Sequence, residues 1–370
     1  MEFYKMRKYY LDNLRWLIIL FLFPYHVLLI YSNIGSYYFH AANSVIANTF
    51  ILSLAPWFMQ LLFTIAGIAT YYSLKKRSVG EYLKERISKL LIPTLAGIIL
   101  VIPVSVYFGS LYSGYTGSFL AFYSDFFTHW LPNLKSGLII GHLWFLLYLF
   151  IVSLVALPII IEYKNGKWKI PIEKVTIPIL LLLIIPLAFG SLFRNLYPEK
   201  SIIQFFLVFI FGYFLLSDEE VQRKLEDKRW PLFVSFLGIT ILYLLMSVPN
   251  IDSTVNSNTQ STFQSILSAL IMKIFENSIM WLGVLGMMGI GKHYLEFKNS
   301  KTLYLSAVSF PIYIFHLAWI NIFAYYIINW IPNQPLQIIL IMCLSFIFTI
   351  ATIEVVRRIK GFRFLFGIKG

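Results

Sequence analysis

The sequence predicts an all-α integral membrane protein, a polytopic bundle of about ten transmembrane helices with both termini cytoplasmic. Three observations predict it. Of the 370 residues, 59% are hydrophobic and only 13% charged, about half the charge of a soluble domain, and mean hydropathy is +0.75. Long apolar runs recur from Leu14 to Val356, each long enough or nearly so to cross a hydrocarbon layer ~30 Å thick. The basic residues between those runs sit in alternate loops.

Read in order, the runs give spans over 14-32, 49-73, 90-109, 142-161, 176-193, 201-216, 231-248, 266-290, 303-330 and 336-356. The first follows a charged N-terminal segment and carries Arg15 and His26, with no small-residue cleavage site after it, so it is expected to stay in the protein. The second stops at Lys75, Lys76 and Arg77, and the basic stretch "KKRSVGEYLKERISKLLIP" runs from there into the third. The fourth opens on "GHLWFL" after a loop, 110-140, rich in aromatics, which suits either an interfacial belt or a sugar-stacking surface. The fifth and seventh are plain apolar runs, the sixth is short, and the eighth holds Lys273 and Glu276. The ninth carries His316 midway, and the tenth holds the only cysteine, Cys343, before a basic C-terminus.

Charge fixes the expected orientation. Of the 30 lysines and arginines, 25 fall in the ends and loops that are inside when the N-terminus is inside, as cytoplasmic segments of membrane proteins require. The same spread excludes nucleic acid as a partner for a net charge of +13, because no single recognition element collects the charge. One cysteine excludes disulfides and thiolate metal clusters, and no metal centre is expected. No heptad series, low-complexity segment or transporter-like repeat interrupts the chain, so residues 1-370 are expected to form one membrane domain without an appended soluble one.

Ionisable groups inside hydrocarbon are costly and mark candidate chemistry. Here they are Arg15, His26, His142, Lys273, Glu276 and His316. Arg15 and His26 are eleven positions apart, which on a helix is ~20° beyond three turns and ~16.5 Å of rise, so they share a face at different depths. Pro24 is expected to bend the helix beside His26, and Asp12, three residues before Arg15, to pair with it. A neutral imidazole is available near pH 7 to take a hydroxyl proton. His316 lies at a depth similar to His26, and His142 at the outer mouth of the fourth span. Arg86 and Lys89 flank the membrane boundary one helical turn apart, where they suit the phosphates of a cytosolic donor or of a lipid headgroup.

These residues, in this order, resemble the acyltransferase-3 family of integral membrane acyltransferases over nearly the whole chain. "LDNLRW" leading to "YH" resembles the family's first-helix Arg and His with ten residues between them; "KERISKLLIP" resembles its basic approach to the third helix; "GHLWFL" and "FPIYIFH" resemble its later marks. The segment from Pro56 to Pro93 looks most like the periplasmic-glucan succinyltransferase branch. The resemblance implies transfer of an acetyl or succinyl group from cytosolic acyl-CoA, a co-substrate rather than a bound cofactor, to a hydroxyl of an extracytoplasmic carbohydrate. It implies a bacterial cytoplasmic membrane, His26 as the essential histidine, whether general base or transient acyl carrier, and Arg15 as its partner. Arg86 and Lys89 match a donor-side pair that is often two arginines. His316, His142 and Trp144 fall on the acceptor side, with Asp12 in support; Trp144 suits sugar stacking or packing. A homo-oligomer or a partner protein stays open.

The alternative from another class is a transporter or flippase for a glycolipid or small solute, with the histidines and the Lys273 and Glu276 pair relaying protons or binding substrate. It requires no acyl-CoA. HxxxxD, GxSxG and cysteine-relay acyl-transfer patterns are all missing from the sequence.

Overall fold

The computed structural model describes residues 7–35, 37–193, 200–250 and 262–368. Among these there is no strand, and the helices in order are α1 (Tyr9–Leu20), α2 (Leu22–Leu29), α3 (Val45–Leu54), α4 (Phe58–Leu74), α5 (Val79–Arg86), α6 (Ile92–Leu100), α7 (Ile102–Tyr112), α8 (Phe119–Thr128), α9 (Trp130–Lys135) and α10 (Trp144–Lys164). They continue as α11 (Ile177–Leu182), α12 (Ile184–Ser191), α13 (Ile202–Phe211), α14 (Glu219–Asp227), α15 (Arg229–Ser247), α16 (Thr262–Tyr294), α17 (Ser300–Trp330), α18 (Gln334–Val356) and α19 (Lys360–Leu365). Joined across their breaks, eight of the described stretches are long and apolar enough to cross a membrane. A ninth arises if α13 with its π turn and α14, bent by 98°, count as one span, and Ile177–Ser191 is apolar but shorter. Each of the ten runs read from sequence thus corresponds to helix, and the fifth and sixth are the ones that fall short.

Prolines set most of the breaks. A proline offers no N–H to the carbonyl four residues back. Pro24 withholds it from Leu20, and the chain breaks at Phe21 between α1 and α2. Pro103 withholds it from Ile99, whose carbonyl accepts from the Tyr123 hydroxyl at 3.3 Å instead, and the chain breaks at Val101. Pro186 does the same between α11 and α12, which shortens the fifth span. Two π turns, Ile87–Leu91 and Gly212–Leu216, widen the ladder elsewhere, the first of them carrying Lys89.

The centre of the bundle is α17. It packs on α1, α2, α7 and α18, and 72% of its most apolar window is buried, against 22% for α18 and 17% for α15. The last two therefore present most of their side chains outward, as lipid-facing helices do. Near the basic side the two ends of the chain approach one another: Phe366, 2% exposed, packs on Phe315 of α17, and Gly367 and Ile368 line the same cavity as Arg7.

Candidate active site

The sequence places three histidines on different helices, and the fold brings their rings together. His316 of α17 lies 5.2 Å from His26 of α2 and 5.3 Å from His142, centroid to centroid. His142 sits in the 3-10 turn Gly141–Leu143 that opens α10. The main chain sets the tautomers of the neutral rings, because a carbonyl accepts only from a ring N–H. His142 Nε2 lies 2.9 Å from the Ile314 carbonyl, so its proton is there and the lone pair is on Nδ1. His316 Nδ1 lies 2.8 Å from the Tyr313 carbonyl, which leaves the lone pair on Nε2. His142 Nδ1, His316 Nε2 and His26 Nδ1 are all buried without a hydrogen-bond partner among the described residues. Leaving a buried polar ring nitrogen unpaired costs about 1–3 kcal/mol, so three in one cluster, two of them acceptors by their tautomers, fit a site that receives a hydroxyl from outside the chain. Beside His26, Tyr37 stacks at 6.1 Å and donates its hydroxyl to Asn321 Oδ1 at 2.9 Å.

A cavity of about 680 Å³ runs in from the basic end of the bundle. Its mouth holds Arg7, Arg15, Arg86, Lys89 and Arg357 against the carboxylates of Asp12 and Glu85, a clear cationic excess. Asp12 accepts from both Arg15, at 3.0 Å, and Arg7, at 2.8 Å. Glu85 is bracketed by Lys89 and Arg77. Arg86 lies 4.6 Å over the Tyr82 ring and donates to Thr70 at 3.3 Å, and its Nε is buried without a partner among the described residues. Deeper walls are apolar, from Ile19, Leu62, Ala66, Leu146 and Leu149. Pro311 leaves the Ala307 carbonyl without its helical donor at the point where Ala307 lines the cavity.

Tyr313 and Phe145 close the inner end, and none of the three histidines lines the cavity itself. The Tyr313 ring stands between the two, 5.8 Å from His142 and 6.0 Å from His316, with its hydroxyl donating to the His142 carbonyl. The sequence reading did not single out Tyr313. The signal was its place in "FPIYIFH", three residues before His316 and so on the same side of one helical turn. Arg15, Asp12, Arg86 and Lys89 meet at the mouth, whereas Trp144 lies apart from it, 9% exposed, with the Lys200 ammonium 4.7 Å over its ring. Lys273 and Glu276 pair with each other in a second, smaller cavity.

A family model described as an acyltransferase domain matches residues 8–354. Proteins of Salmonella schwarzengrund and Salmonella typhi, each named glucans biosynthesis protein C, are 23% identical over 98% of this chain and 95% of their own length. An Escherichia coli protein of that name is 29% identical over 43% of this chain and 40% of its own. No solved structure matches. The family match takes in α1 through nearly all of α18, and with them every helix that builds the basic-mouthed cavity and the histidine cluster: the chain belongs to the acyltransferase-3 family.

Proposed function

We propose that this multi-pass membrane protein moves an acetyl or succinyl group from acyl-CoA to a hydroxyl of a glucan or related glycan on the far side of a bacterial cytoplasmic membrane. The observation that carries the reading is the pairing of a cationic, apolar-walled cavity with three buried unpartnered imidazole nitrogens just beyond its closed end. The donor's phosphates rest among Arg15, Arg86 and Lys89, where guanidinium groups match phosphate geometry, and its thioester arm runs along the apolar walls toward Tyr313. A volume of about 680 Å³ is within the usual range of small-molecule sites. His26 takes the acceptor hydroxyl's proton, or carries the acyl group briefly, and His316 and His142 hold the hydroxyl through their unpaired nitrogens. The curated relatives' name supports a glucan acceptor. In this reading all ten helical runs enter the membrane and both ends of the chain are cytoplasmic, because the donor is cytosolic and the mouth carries Arg7 and Arg357.

Calorimetry on detergent-purified protein with acetyl-CoA and with succinyl-CoA tests it. Wild type is expected to bind one of them, Arg86→Ala to bind it about tenfold or more weakly, and His26→Ala to bind it while transferring nothing. No binding of either donor to folded protein overturns the reading and favours transport.

A further inference from the structure

Beyond the donor cavity and the histidines, the bundle holds a second cavity of about 230 Å³. The ends of α12 and α13, the junction of α3 and α4, and the middle of α16 form its walls. It lies toward the end of α13 remote from the donor mouth: α13 starts at this cavity, and after its far end Glu219 reaches Lys8 at 2.7 Å beside that mouth. Its position relative to the chemistry is set by Lys200, which lines the cavity and also lies 4.7 Å over the ring of Trp144, two residues after His142.

The polar groups of this cavity are half satisfied. Asn277 is used up, donating to Ser191 at 3.0 Å and to the Lys273 carbonyl at 2.8 Å and accepting from Gln204 Nε2 at 2.7 Å. Lys273 and Glu276 pair with each other. Two groups have no hydrogen-bond partner among the described residues: Gln60, 8% exposed, whose Oε1 is buried, and Lys200, whose ammonium has the Trp144 ring on one side and no carboxylate or other acceptor. Burial pushes the Lys200 ammonium down to about 8.

An amide oxygen wanting a donor beside an ammonium wanting an acceptor selects a ligand group that does both, and a hydroxyl does both. Several hydroxyls on one small ring meet Gln60 and Lys200 together, and the volume suits a single such ring better than a drug-sized ligand. We propose that this cavity is a monosaccharide subsite for the acceptor, in which Gln60 Oε1 accepts from one sugar hydroxyl, Lys200 donates to a neighbouring one, and the next sugar along the chain is presented to the histidines. The proposal rests on the acyl-transfer reading above for the identity of the ligand as acceptor. It assigns Gln60 and Lys200 to acceptor binding and not to catalysis.

The test is calorimetric titration of the full-length protein in detergent with a linear glucose oligosaccharide, with acyl-CoA titrated into the same preparations. Wild type is expected to bind the oligosaccharide. Gln60→Leu and Lys200→Met are expected to weaken it about tenfold or more, and Lys200→Arg, which keeps charge and donors, far less. Wild-type affinity is also expected to fall as the pH rises through about 8, where the ammonium loses its proton; of the other groups facing the cavity, Lys273 and Glu276 hold each other, and Tyr243 comes from α15. Lys200→Arg stays charged, and its binding is expected to stay level across that range. Oligosaccharide binding that is absent from wild type, or unchanged in both Gln60→Leu and Lys200→Met, overturns the subsite. If acyl-CoA binding persists in those same samples, the acyl-transfer reading survives that failure; if acyl-CoA binding alone is missing, the reading fails and the sugar site stands.

Discussion

At the scale of single residues the decisive side chain is Tyr313. Its ring separates the basic-mouthed cavity from the histidines, and its hydroxyl holds the main chain that carries His142. It touches neither the proton nor the thioester in our scheme, so it is a positioning residue. Tyr313→Phe keeps the ring and removes one hydrogen bond worth about 1 kcal/mol, and transfer is expected to slow by up to about tenfold. Tyr313→Ala removes the partition, and water then reaches the thioester from the histidine side. Release of free thiol from acyl-CoA without acceptor is expected to rise in that variant relative to wild type, with acceptor-dependent transfer reduced. A colorimetric thiol assay with and without glycan separates the two, and an Ala variant with no acceptor-independent release contradicts the partition. Depth along the membrane normal is what the sequence makes legible at this scale. Counting from the charged boundaries put His26 and His316 level with one another and Arg15 at the edge, since both follow from rise per residue. Lateral neighbours are another matter: Gln60 and Lys200 come from elements whose contact depends on how α4 and α13 cross, which no local pattern encodes.

That crossing is the clearest case at the scale of elements. A Cβ on Gly67 of α4 would stand 2.1 Å from the Phe209 carbonyl oxygen, and one on Gly212 would stand 2.3 Å from the Thr64 carbonyl oxygen. The two helices touch backbone to backbone through a reciprocal pair of glycines, which is how small residues bring membrane helices close without a hydrophobic driving force between them. Neither backbone oxygen can yield alone, so the helices must part to admit a methyl group. Gly67→Ala and Gly212→Ala are each expected to destabilise by about 1–3 kcal/mol, read as a melting temperature in detergent lower by several degrees. Because both changes relieve the same contact by the same separation, the double variant is expected to cost less than the sum. Additive losses speak against a shared crossing. The helical runs themselves were legible because hydropathy and proline report directly on one segment. The short sixth span was legible as short, and its π turn at Gly212–Leu216 lies within the run read from sequence; the fifth was less so, because Pro186 divides apolar sequence that composition alone reads as continuous.

At the scale of the whole molecule, the two proposed substrates arrive from opposite sides and the asymmetry of charge decides which side is which. The cationic mouth, the capping box of Ser78 and Glu81 that starts α5, and the basic loops after α10 and α14 are all on the basic side. On our reading, the excess of lysine and arginine in alternate loops assigns that side to the cytoplasm, where acyl-CoA is made. The same reading assigns the α8 and α9 segment to the other side, and Leu120 and Trp130, 76% and 55% exposed, suit helices lying in the interface. Thiol labelling of intact cells settles the orientation once Cys343 is replaced by alanine, since Cys343 is itself exposed. A cysteine placed at Ser136, just after α9, is expected to react with a membrane-impermeant maleimide in intact cells, and one at Lys169, after α10, only when the cells are opened. The reverse pattern would put the cationic mouth outside, beyond the reach of acyl-CoA. It would remove the donor assignment of Arg86 and Lys89 at a stroke while leaving the fold, the family and the histidine cluster as they stand.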